Sequence, residues 1–266
     1  MSGSLRSERE AGVLTLALAR PDVRNALDET LIGELRTAID AASVDTSIRV
    51  VVLSGDGKSF CAGADIGYMQ RLSSFGHAEN LVDAQQLSDL FLAISSCSKP
   101  VIAKVHGAAI GGGVGLVAAA DIVIAAEGTR FALTEVRLGI LPAVISPFVL
   151  RRLGPAKCRH LFLTGERFAA RRALEIGLCD VVVSADELDA AVDATVQNLR
   201  AGGPDAQSAC KRLLDEIGPL DVASAAARTP EFIAAQRATD EAKEGFAAFF
   251  EKRPAKWAKV DPEAGA

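Results

Sequence analysis

The apolar positions in the first half of the chain fall into short runs that alternate with helical spacing. Val13–Leu18 is apolar at nearly every position and ends at Arg20-Pro21-Asp22, which predicts a strand followed by a turn. Leu31, Leu35 and Ile39 recur on one helical face, and Asp28 precedes them as a natural N-cap. Val50–Leu53 is wholly apolar and stops at Ser54-Gly55-Asp56-Gly57, the pattern of a buried strand. A more polar helical stretch from Asn80 to Ser95 leads through Lys99-Pro100 to a third strand, Val101–Val105, and Ile122–Ala125 is a fourth. Strands separated by helical spans predict βαβ units, a largely parallel sheet and an α/β fold class.

Beyond Ser146 the pattern is helical. Ser146–Leu153, Ala156–Leu163 and Ala169–Ile176 are separated by Gly-Pro and Thr-Gly breaks, with Gly177 in the position of a helix-ending glycine. One short strand, Val181–Val183, precedes helices predicted over Glu187–Arg200, Asp205–Ile217 and Glu231–Phe250. No Ser/Gly/Pro linker and no internal repeat divides the chain. The expected organisation is a core over residues 1–195 and a helical C-terminal region over 196–266, with Pro262–Ala266 expected to be disordered.

Composition narrows the function classes. The chain has 266 residues, of which 49% are hydrophobic and 24% charged, the balance of a globular protein with a large core. A net charge of −5 gives no broad basic surface for nucleic acid, although a local cationic patch for a phosphorylated ligand is compatible with it. Five scattered cysteines without a CxxC pair, and three scattered histidines, give no metal-site spacing. The first ten residues contain no apolar signal region, and the longest apolar stretch, Val114 to Ala126, is interrupted by Asp121 and too short to span a bilayer. A reduced cytoplasmic protein, off the membrane, is the expectation.

Chemistry concentrates in glycine-rich turns. Val105 to Gly115 reads as a buried strand, a triple glycine (Gly111–Gly113) and a helix of small residues. Glycines at a helix start permit close approach to the backbone and leave N–H groups pointing outward at the positive end of the helix dipole, which suits a phosphate or a developing oxyanion. Neither GxxxxGK[ST] nor GxGxxG is present. Tight helix–strand packing accounts for this motif equally well when it stands alone. A second such turn, Gly57 to Ile66, follows another buried strand.

Together with Arg24-Asn25-Ala26-Leu27, these two turns resemble the fingerprint of the enoyl-CoA hydratase/isomerase (crotonase) superfamily. The resemblance continues through Asp121-Ile122-Val123-Ile124, Phe131 to Ile140, Leu163-Thr164-Gly165-Glu166, Ala173 to Leu178 and Glu244 to Arg253. Glu135 to Gly139, followed by Pro142 to Pro147, resembles bacterial 3-methylglutaconyl-CoA and isohexenylglutaconyl-CoA hydratases. The resemblance implies a crotonase-like ββα spiral core, a helical C-terminal trimerisation region and a hexamer built as a dimer of trimers. It implies an acyl-CoA substrate, with coenzyme A entering as part of the thioester, and neither a separate cofactor nor a metal. The thioester carbonyl would lie between the N–H groups of Ala64 and Gly112, and one such donor is worth ~3 kcal/mol of barrier. Arg24, Ala26, Ala62, Ala64, Asp65, Ile66 and Lys252 would contact the coenzyme A portion, Lys252 from a neighbouring subunit. Tyr68, Ala143 and Gly115 would line the acyl pocket.

Hydratases of the superfamily commonly use two glutamates. Glu135 matches the second position, whereas Gly115 occupies the first. Three enzymatic readings follow: Glu135 handles both protons; a substrate carboxylate supplies the second acid; or the enzyme isomerises the double bond with one base. Loss of turnover, leaving an acyl-CoA-binding or RNA-binding protein, is the alternative from another class, and the acidic charge balance opposes RNA. A plain surface role for Glu135 would pair it with Arg130 or Arg137. His106 reads as a satisfied histidine beside the turn, Cys61 as a small buried thiol, and Ser146 has no His/Asp partner in a recognisable arrangement.

Overall fold

The parallel sheet begins one strand earlier than the hydrophobic pattern indicates. In a computed structural model, which describes residues 3–258, β1 (Leu5–Glu10) pairs antiparallel with β2 (Val13–Leu18). The sequence of β1, Leu-Arg-Ser-Glu-Arg-Glu, is an exposed edge without an apolar face, so alternation gives no sign of it. Asp28 caps α1 (Glu29–Val44) by accepting from Leu31 N–H at 2.9 Å, and the buried Leu31, Ile32, Leu35 and Ile39 dock that helix on the sheet. β3 (Val50–Gly55) follows, then a short α2 (Ile66–Leu72), α3 (His77–Ser96) and β4 (Val101–Val105).

The glycine motif holds a strand of its own, β5 (Ala108–Ile110), before α4 (Gly112–Ala119) and β6 (Ile122–Ala126). β7 (Arg130–Ala132), α5 (Ser146–Leu153), α6 (Pro155–Thr164), β8 (Arg167–Ala169), α7 (Ala170–Ile176) and β9 (Val181–Val183) complete the strands. The main sheet runs β1-β2-β3-β4-β6-β9, parallel throughout except for β1, and a smaller sheet runs β5-β7-β8. One face of the main sheet packs on α1, α3, α4 and α5 through Leu35, Ile39, Phe91, Leu116 and Val149. Val50, Val52, Ile102 and Ile124 on the other face meet Leu188, Val192 and Val196 of α8 (Leu188–Ala201).

Three helices follow: α9 (Pro204–Ile217), α10 (Val222–Arg237) and α11 (Asp240–Phe250). The single helix expected over Glu231–Phe250 is therefore broken. Its physical cause is Thr239, whose hydroxyl accepts from Ala242 N–H at 3.1 Å and starts a new helix. Residue 195, where the expected boundary lies, falls inside α8. Among the described residues no helix is long and apolar enough to cross a membrane. The tail expected at Pro262–Ala266 lies outside the described residues.

Candidate active site

Three segments distant in sequence are stitched together by backbone hydrogen bonds. Phe60 N–H donates to His106 O at 2.9 Å, Cys61 N–H to Ala108 O at 3.0 Å, and Ile110 N–H to Cys61 O at 3.0 Å. The approach is close enough to require glycine: a Cβ on Gly107, where φ is +64°, would fall 1.9 Å from Lys58 O, and one on Gly113 would fall 2.5 Å from Cys61 O. Asn25 joins the third segment. Fully buried and left-handed at φ +57°, it accepts from Arg20 N–H at 2.9 Å and donates to Asp56 O at 2.8 Å and Ser59 O at 2.7 Å. Leu27 N–H reaches Gly63 O at 2.7 Å and Asp65 N–H reaches Leu27 O at 2.8 Å, so Ala64 is held between two fixed neighbours.

The N–H groups of Ala64 and Gly112 engage no protein acceptor among the described residues. Gly112 is the first residue of α4, so helix geometry leaves its donor free, and the helix dipole adds positive character there. Both residues line one cavity of about 280 Å³, with Ala62, Tyr68, Glu135 and Ala143 also on its wall. Two unpaired N–H groups on the wall of a mostly apolar cavity suit stabilisation of charge on an oxygen.

Glu135 reaches this cavity from a single 3₁₀ turn, Glu135–Leu138, that follows β7. Gly139, at φ +73°, closes the turn and donates to the carbonyls of Glu135 and Val136. The carboxyl leans over the glycine turn: a Cβ on Gly111 would stand 3.2 Å from Glu135 Oε1. Its Oε2 is buried without a hydrogen-bond partner. Burial raises the Glu135 pKa above the ordinary glutamate range, opposed by a hydrogen bond to its own backbone N–H. Neither Arg130 nor Arg137 forms an ion pair with it among the described residues. A carboxyl of raised pKa with one oxygen unpaired, on the same cavity wall as two residues with free N–H groups, can take and return a proton.

Gly115 does not line the cavity, contrary to expectation. It is buried in α4, and a Cβ there would fall 2.4 Å from Ile145 Cγ2 and 2.8 Å from Phe91 Cζ. A side chain at 115 would meet Phe91 in the core and Ile145, which itself lies on the cavity wall. Of the residues expected at the coenzyme A portion, Ala62 and Ala64 are on the cavity wall, while Arg24, Ala26, Asp65, Ile66 and Lys252 are not. Ala26 is buried. The Asp65 carboxylate caps α2 by accepting from Tyr68 N–H at 3.1 Å and pairs with Arg20 at 3.1 Å, so it is committed to structure. Arg24 is exposed at φ +54°, at the end of a 3₁₀ turn, and Lys252 is exposed just past α11. Ile66 is exposed and lies in sequence between the cavity-wall residues Ala64 and Tyr68.

Two functional features escape sequence reasoning. Asn25 carries no role that the motif around it signals, yet its three side-chain hydrogen bonds tie Arg20, Asp56 and Ser59 together. Asp83 of α3 also lines the cavity and accepts a hydrogen bond from the Tyr68 hydroxyl. No local signal marks Asp83, since the helix that carries it is polar along most of its length. His106 is satisfied by Gly57 O at 3.0 Å, and burial pushes the Cys61 thiol up to about 12, which leaves it unreactive.

A model of the family described as enoyl-CoA hydratase/isomerase matches residues 8–260. The crotonyl-CoA hydratase of Syntrophomonas wolfei is 35% identical over 250 residues, covering 93% of this chain and 95% of its own. The 2,3-dehydroadipyl-CoA hydratase of Escherichia coli K12 is 34% identical over 247 residues, covering 92% and 94%. The crystal structure of an enoyl-CoA hydratase from Shewanella pealeana superposes with a TM-score of 0.92 at 37% identity, covering 96% of each chain.

Proposed function

The chain belongs to the enoyl-CoA hydratase/isomerase family and has the crotonase fold, and on that premise we propose that it adds water across the double bond of a 2-enoyl-CoA with Glu135 as its one acting carboxylate. The observation that carries this reading is the unpaired Glu135 Oε2 over a glycine turn, beside the free N–H groups of Ala64 and Gly112. In the forward direction Glu135 takes a proton from water as its oxygen attacks the β-carbon. Charge passes to the thioester oxygen, where the two N–H groups meet it, each worth ~3 kcal/mol. Glu135 then returns the proton to the α-carbon, leaving the carboxyl as it began.

For the acyl group we favour a chain without a carboxylate over the 3-methylglutaconyl group suggested by the sequence resemblance. The cavity wall carries two acidic side chains, Glu135 and Asp83, and no Lys, Arg or His. A substrate carboxylate would be desolvated there against like charge. The remaining walls, including Leu72, Leu87, Leu138 and Val144, are apolar.

Isomerisation is the second reading, favoured by the loss of the first carboxylate position to Ile145 and Phe91. Purified protein decides between them: hydration of crotonyl-CoA lowers the conjugated-thioester absorbance, whereas isomerisation of 3-hexenoyl-CoA raises it. Failure to turn over any enoyl-CoA would leave only the binding role.

Arg24, and Lys252 from a neighbouring copy, are the proposed phosphate contacts. A hexamer made of two trimers is the proposed assembly, supported by exposed Val222, Phe246, Phe249 and Phe250 on α10 and α11. Light scattering should report a trimer or larger, and a stable monomer at micromolar concentration would refute it.

A further inference from the structure

The cavity has a second polar centre that the proposed chemistry does not use. Tyr68 lies in the first turn of α2 with its ring buried. Asp65 fixes its N–H, and the Arg71 guanidinium sits 5.9 Å from the ring centroid, itself held by Glu29 at 2.6 and 2.7 Å. The phenol hydroxyl donates to Asp83 Oδ1. A phenol can donate one hydrogen bond, and here Asp83 accepts it. What the pair still offers the cavity is therefore acceptor lone pairs and a negative charge. Burial, and next the Asp83 carboxylate, push the Tyr68 hydroxyl well above its ordinary pKa, so the proton stays in place.

We infer that the Tyr68–Asp83 pair is a specificity site for an acyl chain carrying a hydroxyl group, which donates to it. The inference rests on the enoyl-CoA reading above and names the substrate class within it. Around the pair the wall is apolar, formed by Ile32, Met69, Leu72 and Leu87. A hydrocarbon chain reaching that wall would leave two acceptors desolvated without a donor. A carboxylate would bring like charge to Asp83. A hydroxyl satisfies the pair and retains an apolar stem. Sites built to bond a substrate hydroxyl reject the analogue that lacks it far more strongly than apolar pockets reject a missing methylene. A proton whose position is fixed between Tyr68 and Asp83 suits binding rather than proton shuttling.

The test uses thioesters of matched length: 2-hexenoyl-CoA, 6-hydroxy-2-hexenoyl-CoA and 2,3-dehydroadipyl-CoA. The unaltered enzyme should show kcat/KM at least tenfold higher for the hydroxylated chain than for the plain one, with the carboxylated chain lowest. Tyr68→Phe should reduce the hydroxyl-to-methyl ratio at least fivefold. Asp83→Asn, which removes the charge and adds a donor, should raise the carboxylate-to-hydroxyl ratio at least tenfold. A preference of the unaltered enzyme for the methyl or carboxylate chain overturns the inference. So do variants that lower all three substrates by the same factor, since that would place the pair in the chemical step. If no enoyl thioester is turned over, the hydratase reading fails, and the Kd values of hexanoyl-, 6-hydroxyhexanoyl- and adipoyl-CoA still read the specificity in the same order. If Asp83→Asn does not fold, the isosteric Tyr68→Phe and the three-way preference of the unaltered enzyme decide.

Discussion

Positions 115 and 135 flank the same glycine turn, one on the helix that leaves it and the other on the 3₁₀ turn opposite. At 135 a carboxyl is buried with an oxygen left unpaired. At 115 there is no side chain, and none could be added without moving Ile145 and Phe91. Phe91 in turn packs on Phe148, ring centroids 5.9 Å apart. The contrast teaches that a missing acid need not leave a hole. The lost position has been absorbed into the core, so the chain is not a two-carboxylate site awaiting repair. Adding Glu at 115 would press a carboxylate against the Phe91 ring and the sec-butyl side chain of Ile145, with no partner for its charge among them.

The comparison can be broken most sharply at 135. Glu135→Gln should lower kcat/KM on crotonyl-CoA by at least about a hundredfold, with thioester Kd within a few-fold by calorimetry. A fully active variant would move the proton transfer elsewhere. At 115, Gly115→Ala should cost about 1–2 kcal/mol, overpacking outweighing the gain in helix propensity. That corresponds to a fall of several degrees in Tm. Gly115→Glu should cost more and gain no crotonyl-CoA activity. An intact melting temperature in both variants would mean that Ile145 and Phe91 yield easily.

A subtler effect separates the two positions by pH. Because burial raises the folded-state pKa of Glu135, the folded protein holds that proton more tightly than the unfolded chain. Stability from this group is present below the ordinary glutamate range and is lost as pH rises through the raised value. Glu135→Gln should therefore melt higher than the unaltered protein at neutral pH, with the gap closing in acid. A gap independent of pH would remove desolvation as the cause. The smallest expected effect is at the proposed phosphate contact: Arg24→Ala should weaken acyl-CoA binding a few-fold, and less at high salt. Unchanged affinity at low salt would dismiss Arg24.

Much of this was readable in the chain. β2, β4, α5 and β9 begin and end where apolar runs meet turn residues, because a buried strand or helix face leaves a dense signal bounded by glycine, proline or charge. β1 was hidden by its polarity, β5 by being three residues inside a glycine motif, and α2 by its brevity. The glycine turns around Ala64 and Gly112 were legible because close backbone approach demands glycine at fixed places, whereas Glu135 stood out only through the family resemblance. Asp83, Phe91 and Ile145 were not, since their roles come from tertiary neighbours distant in sequence. Nothing in the spacing of Tyr68 and Asp83 foretells that one donates to the other.

The stitching of Cys61 to Ala109 and of Leu27 to Ala64 also bears on how the molecule folds. The two N–H donors lie on segments distant in sequence, one in the turn before α2 and the other at the start of α4, and closing the chain between them costs entropy. Their juxtaposition is a non-local contact, and contacts between segments distant in sequence slow folding. A chain halted before α4 docks would have strands and helices but not the Ala64 and Gly112 N–H groups brought to one cavity. Thioester affinity would then belong only to the finished core, so bound substrate would slow unfolding and leave the rate of folding untouched.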